Sequence, residues 1–151
     1  MMVAFHKTLS DKSVYYRYFY WMQLEARIAH QRLTRMCFID YDREMALVAE
    51  RTEAAGVRGI VGVARMTRLD SGHAAGGEAE FAVIVSDAYQ GHRLGTELLN
   101  RLVAVARAEG IGRLVGDILP ENTAMQAVAR NLGFRLSFSA EEGVVKAELP
   151  L

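Results

Sequence analysis

The sequence is short of residues that staple or kink a chain, and it has no stretch that could span a membrane. There is one cysteine, Cys37, and there are two prolines in 151 residues. A lone thiol excludes an intramolecular disulfide and suits a reducing compartment. Cys37 itself is expected in the core. No apolar run approaches the roughly 20 residues that a membrane helix needs. The N-terminus lacks a charged region followed by an apolar run, so no signal peptide is read there, and the cytoplasm is the expected location. Net charge is absent as well, because 18 basic and 18 acidic side chains cancel. That balance argues against a nucleic-acid or anionic-membrane partner. His6, His30, His73 and His92 are scattered without ligand spacing, so no metal is expected. No Ser-His-Asp or Cys-His pattern supports covalent catalysis. What is present is a chain with 51% hydrophobic residues, no repeats and no linkers. It reads as one globular domain over residues 1–151.

Taken in order, residues 1–9 read as a short helix or lead-in, and Ser10 as the N-cap of a helix. An aromatic run follows: Tyr15, Tyr16, Tyr18, Phe19, Tyr20 and Trp21, with Arg17 among them. Three readings are open for it: base stacking, a helix packed on a sheet with tyrosine tips in water, or an aromatic wall for a substrate. Residues 24–36 resemble a second amphipathic helix. After a polar turn at 40–44, residues 45–49 read as a buried strand, and 60–66 as its hairpin partner. Residues 70–77 form a loop by composition, and 78–85 form the next strand. Helix periodicity is strongest over 96–109, where Leu98, Leu99, Leu102, Val103 and Ala106 share a face and Gly110 stops the helix. A strand at 114–119, a helix at 123–132, and strands at 134–138 and 144–149 complete the chain. The predicted fold is α+β, a mixed sheet with helices on both faces.

One stretch organises the rest: Tyr89-Gln90-Gly91-His92-Arg93-Leu94-Gly95-Thr96. It joins an apolar strand to the best helix in the chain. The first N–H groups of a helix have no internal partner and carry partial positive charge. Glycines let the main chain approach an anion closely, so a phosphate site is predicted, with His92 and Arg93 at its rim. No Gly-Lys-Ser/Thr follows, so the loop is not a P-loop, and the spacing Gly91-x-x-x-Gly95 is not the dinucleotide fingerprint.

The loop resembles Gln/Arg-x-x-Gly-x-Gly/Ala, the pyrophosphate loop of the GNAT superfamily of N-acetyltransferases. Gln90 and Gly95 match, and Arg93 stands where the central glycine is usual. The element order is similar to the GNAT order over nearly the whole chain, with a mostly antiparallel central sheet. Five further stretches are similar to one branch, the acetyltransferase domain of bacterial protein lysine acetyltransferases known for acetylating acetyl-CoA synthetase. They are Phe5-His6-Lys7-Thr8-Leu9-Ser10, Tyr16-Arg17-Tyr18-Phe19, the run from Asp40 through Ala49, Ala79-Glu80-Phe81-Ala82-Val83, and Glu121-Asn122-Thr123-Ala124-Met125 through Leu132-Gly133-Phe134. Three departures stand out. The chain starts after the strand that usually precedes the first helix: either the sheet lacks that edge strand, or the start is truncated, or another chain supplies it. At 151 residues there is no room for the branch's regulatory region. Ala129 stands where many GNAT enzymes carry a proton-donating tyrosine.

The resemblance implies direct attack of an amine on the thioester of acetyl-CoA, with no acyl-enzyme. A free lysine has pKa about 10.4, so near neutrality about one in a thousand is the reactive neutral amine, a handicap of roughly 4 kcal/mol. A base offsets part of this, and Glu80 is the candidate. Strand alternation puts Ala79, Phe81, Val83 and Val85 on one face and Glu78, Glu80, Ala82 and Ile84 on the other. Glu80 thereby leaves the apolar side, whereas Glu78 reads as a solvated surface glutamate. Such a base needs burial to raise its pKa, or a water to relay the proton. The resemblance further assigns main-chain groups of Val83, Ile84 and Val85 to the pantetheine arm, beside a bulge that splays two strands. It gives the N–H groups of Gln90, Gly91, His92, Arg93, Leu94, Gly95 and Thr96 to the pyrophosphate. An N–H near Val83 would polarise the thioester carbonyl. Asn122 is either a pantetheine contact or simply a helix cap. The acceptor expected is a protein lysine. A small amine is the alternative acceptor, and a non-catalytic acyl-CoA sensor the alternative function. The oligomeric state, a homodimer included, is open.

Overall fold

The computed structural model describes residues 1–70 and 75–151, so the middle of the 70–77 loop, with His73, lies outside the described residues. Four short helices come first: α1 (Met2–Lys7), α2 (Asp11–Tyr18), α3 (Leu24–Arg27) and α4 (His30–Cys37). Three strands follow, β1 (Glu44–Thr52), β2 (Arg58–Leu69) and β3 (Glu78–Val85). A single 3₁₀ turn at Asp87–Tyr89 leads into α5 (Leu94–Ala108). The chain ends with β4 (Arg113–Ile118), α6 (Thr123–Asn131), β5 (Arg135–Ser139) and β6 (Val144–Pro150). The strands form one sheet in the order β1-β2-β3-β4-β6-β5. Every neighbouring pair is antiparallel except β3 and β4, which run parallel. The mixed sheet and its helices match the predicted fold class, and no strand precedes α1 among the described residues.

Two cores flank the sheet. Leu98, Leu99, Leu102, Val103 and Ala106 of α5 are buried against Ala79, Phe81, Val85 and Leu114, with Ala129 of α6 beside them. Each large apolar side chain buried this way stabilises the fold by about 1.5–3 kcal/mol. On the opposite face, Phe5, Leu9 and Val14 from α1 and α2 close over Val63, with Ile84 packed against them. The predicted alternation of β3 therefore holds, and Glu80 emerges on the α1–α2 side.

Several expectations are corrected. The helix expected over 24–36 is broken, because Ala29 is extended at ψ 133° and separates α3 from α4. Arg27 explains the break: it is buried, it donates to the Leu9 carbonyl at 3.2 Å and it pairs with Asp11. Ending α3 there holds Arg27 in place while the chain turns outward. Cys37 is exposed rather than in the core, because α4 lies on the outer surface and buries no residue. β1 is half-buried rather than buried, because it is an edge strand with Val48 open to solvent. α5 starts at Leu94 rather than Thr96, because Arg93 takes the cap position.

Candidate active site

β3 and β4 pair over only three positions, Glu78–Glu80 against Arg113–Val115. Beyond them β3 stays paired with β2 up to Val85, and β4 stays with β6 up to Ile118. Each strand follows its other neighbour, so the parallel pair opens like a V. The expected splay is present, but the register shift lies between Ala49 and Glu50 of β1, and β3 pairs with β2 without interruption. Gly116 makes room beside the opening for the Phe81 ring: a Cβ there would come 2.5 Å from it. Two joined clefts fill the V. The smaller, about 240 Å³, is bordered by Glu80, the Tyr16–Phe19 segment, Asp117 and Asn122. The larger, about 640 Å³, runs along Val83, Ile84 and Val85 to the glycine loop.

The loop has the shape its sequence predicts. Gly91 turns at φ 77° and Arg93 at φ 64°. The left-handed position costs a non-glycine residue about 1–2 kcal/mol. Among the described residues no side chain caps α5, which leaves the N–H groups of its first turn free to meet an anion. With 15 residues, α5 has a full dipole aimed at the cleft. Gly91, Arg93, Leu94, Gly95 and Thr96 border the larger cleft. His92 does not: its Nδ1 sits 2.9 Å from the Gln90 carbonyl oxygen, which requires the Nδ1–H tautomer. Gln90 borders the cleft, but its main-chain N–H donates to Asp87 O at 3.3 Å. Its side-chain amide donates to Val85 O at 3.1 Å and Ser13 Oγ at 2.9 Å. Gln90 therefore works as a brace between β3 and α2.

Asp87 completes that brace. Its Oδ1 accepts from the Ser10 N–H and the Ser13 hydroxyl, each at 3.0 Å. Partial burial opposes ionisation, but these donated hydrogen bonds outweigh it and hold the carboxyl below its usual range. Ser10 Oγ also caps α2 by accepting from Ser13 N at 3.1 Å. The helix that borders both clefts is thereby fixed to the loop that ends one of them. The sequence marks Ser10 as a cap, but nothing local marks Ser13 or Asp87 as its partners.

Around Glu80 the groups are charged and aromatic. Glu78 pairs with Arg113, whereas Glu80 is exposed in the smaller cleft without an ion pair or hydrogen bond among the described residues. Arg17 borders both clefts. Its guanidinium lies 4.7 Å from the Tyr18 ring centroid, and Arg32 lies 4.6 Å from the same ring. Burial pushes Arg17 below its ordinary value, Tyr18 and Glu80 counteract this, and Arg65 and Arg32 add to it. An arginine remains charged at neutral pH all the same. Asp117 is held by Lys146 at 3.0 Å. Asn122 is a helix cap, its Oδ1 accepting from Met125 N at 3.2 Å, and the residue also borders both clefts. The aromatic run divides. Tyr16, Tyr18 and Phe19 face the smaller cleft, while Trp21 stacks on Tyr15 at 4.7 Å and is largely exposed. Among the described residues no three His, Cys, Asp or Glu side chains gather as a metal-ligand set. No helix among them is long and apolar enough to cross a membrane.

Comparison with known proteins places this architecture. The GNAT domain of S. lividans PAT, a protein acetyltransferase, superposes with a TM-score of 0.82 at 32% identity, covering 99% of this chain and 82% of that one. A cAMP-binding acyltransferase from Mycobacterium smegmatis matches with a TM-score of 0.60 at 28% identity, over 92% of this chain but 40% of its own. An acetyltransferase of Pseudomonas aeruginosa is 33% identical over 102 residues, 68% of this chain and 52% of that protein. The L-methionine sulfoximine/L-methionine sulfone acetyltransferase of the same species is 39% identical over 61 residues, 40% of this chain and 36% of that protein. The chain thus spans about half or less of the curated relatives it matches. The acetyltransferase (GNAT) domain family matches residues 2–135, and with the splayed sheet and glycine loop already described, the chain belongs to that family.

Proposed function

We propose that this domain transfers an acetyl group from acetyl-CoA to a primary amine, with a protein lysine as the acceptor. The observation that carries the reading is the continuity of the two clefts. An unpaired carboxylate, Glu80, stands in one, and an uncapped helix N-terminus closes the other. The loop and the first turn of α5 would hold the phosphates of acetyl-CoA. Main-chain groups of Val83, Ile84 and Val85 would hold the arm between them, and the acceptor amine would enter beside Glu80. Glu80 is open to solvent, which suits proton removal through a bridging water. The protein-lysine acceptor rests on the 32% identity to the S. lividans domain over 99% of the chain.

A small amine is the second reading. One relative acts on an amino-acid analogue, and Arg17 would offer a counter-charge to a carboxylate close to the amine. The two are separated by measuring acetyl transfer to lysine peptides and to free amino acids, with wild type and Glu80→Gln. The expected result is peptide acetylation reduced by about 10²–10⁴-fold in Glu80→Gln, typical of losing a positioned base. Acetyl-CoA should still raise the melting temperature of the variant. Full turnover by Glu80→Gln would remove the proposed base. A preference for free amino acids would favour the second reading.

A further inference from the structure

The proposed reaction leaves one proton unassigned. When the amine attacks the thioester carbonyl, a C–N bond forms and the amine proton passes towards Glu80. The C–S bond then breaks, and its electron pair stays on the leaving sulfur, which needs a proton or a cation. Position 129 offers neither, since it is an alanine packed in the core. The donor must come from elsewhere, and it must reach the place where the two clefts meet.

Among the described residues, five border both clefts: Tyr16, Arg17, Val83, Asn122 and Met125. Only Tyr16 carries a proton it can give up to an anion and later regain. Arg17 keeps its charge, and Asn122 has no ionisable proton. Asp117 borders only the smaller cleft and is paired with Lys146. Tyr18 also borders only the smaller cleft, with two guanidinium groups close to its ring. We propose that the Tyr16 hydroxyl is the general acid that protonates the departing thiolate of CoA. This inference rests on the acetyl-transfer reading above.

Three features suit Tyr16 to the task. Its hydroxyl is held 3.4 Å from the Glu121 carbonyl oxygen, beside Asn122. That contact is long for an O–H···O bond, so it holds the hydroxyl only weakly. The Lys12 ammonium lies 5.4 Å from the ring centroid, so a cation lies over the ring that would carry the transient phenolate. And α2 is fixed to the glycine loop through Ser10, Ser13, Asp87 and Gln90. The acid is thereby set in a constant relation to the site that holds the acetyl donor. In the completed cycle the thiolate gains the Tyr16 proton, Glu80 releases the amine proton to solvent, and the phenolate is reprotonated from solvent. No other reactant is needed.

The test is Tyr16→Phe, which keeps the ring and removes only the hydroxyl. Turnover with acetyl-CoA should fall about 10²-fold or more, within the usual range for a lost general acid. The same variant is then given an acetyl thioester of an aromatic thiol, whose far more acidic sulfur leaves without a proton. There the deficit should shrink to about threefold or less, because no acid is then required. Equal losses on both donors would mean a structural role and overturn the proposal. So would a variant within about threefold of wild type on acetyl-CoA. A folded wild type that binds acetyl-CoA but acetylates no amine would overturn the function reading itself, an outcome distinct from an active wild type with an unaffected variant.

Discussion

His6 should make the N-terminal layer sensitive to acid. Its side chain is 1% exposed, and neither ring nitrogen has a hydrogen-bond partner among the described residues. Burial, with the charges of Arg32 and Arg27 adding to it, pushes its pKa down to about 4 from an ordinary 6.5. The native state therefore holds the neutral ring, while the unfolded chain takes up a proton at higher pH. Stability is lost as pH falls from the unfolded value towards the native one. Integrating between those two values gives almost no loss near pH 7.5 and about 2 kcal/mol at pH 5. For a domain of this size that is a drop of roughly 4–8 °C in melting temperature. The assay is thermal unfolding of wild type and His6→Leu between pH 7.5 and 5. The variant should lose about 2 kcal/mol less over that interval, and at neutral pH it should be at least as stable, because a buried polar ring without partners has gone. Parallel curves for the two proteins would refute the reasoning.

Two further outcomes follow from the packing and hydrogen bonds around the cleft. Gly116→Ala should destabilise the fold by about 1–3 kcal/mol, a typical overpacking cost, because the added methyl meets Phe81, which stacks edge-on with Phe134 at 5.1 Å. Urea unfolding measures it, and an unchanged midpoint would mean that the Phe81 ring yields to the methyl without cost. Asp87→Ala should cost about 1 kcal/mol, discounted because the carboxylate is solvent-exposed, and should weaken acetyl-CoA binding by loosening α2 from the loop. The depressed carboxyl adds stability that is present above its unfolded pKa and lost as pH falls through its native one, so wild type and Asp87→Ala should converge in strong acid. Calorimetric titration with acetyl-CoA and acid-unfolding curves check both parts.

Local patterns were legible wherever a segment's own periodicity sets its environment. The alternation of β3, the apolar stripe of α5 and the cap at Ser10 all follow from neighbours a few residues away. The break between α3 and α4 was not legible, because it depends on Arg27 reaching Leu9 and Asp11. Nor was the exposure of Cys37, which depends on where α4 lies. His92 and Gln90 look like phosphate contacts in the sequence, yet His92 bonds back to the Gln90 carbonyl, and the Gln90 side chain reaches out of the loop to Val85 and Ser13 as a brace.

By itself the sequence determined a strand, glycine loop and helix built for an anion, a glutamate on the polar side of that strand, and the GNAT order of elements. The tertiary structure decided where those parts meet. β3 and β4 part after Glu80 because each follows a different antiparallel neighbour, a competition between long-range pairings that no local window contains. That parting joins the two clefts and brings Tyr16 and Arg17 of α2 opposite Asn122 of the loop before α6, across about a hundred residues of chain.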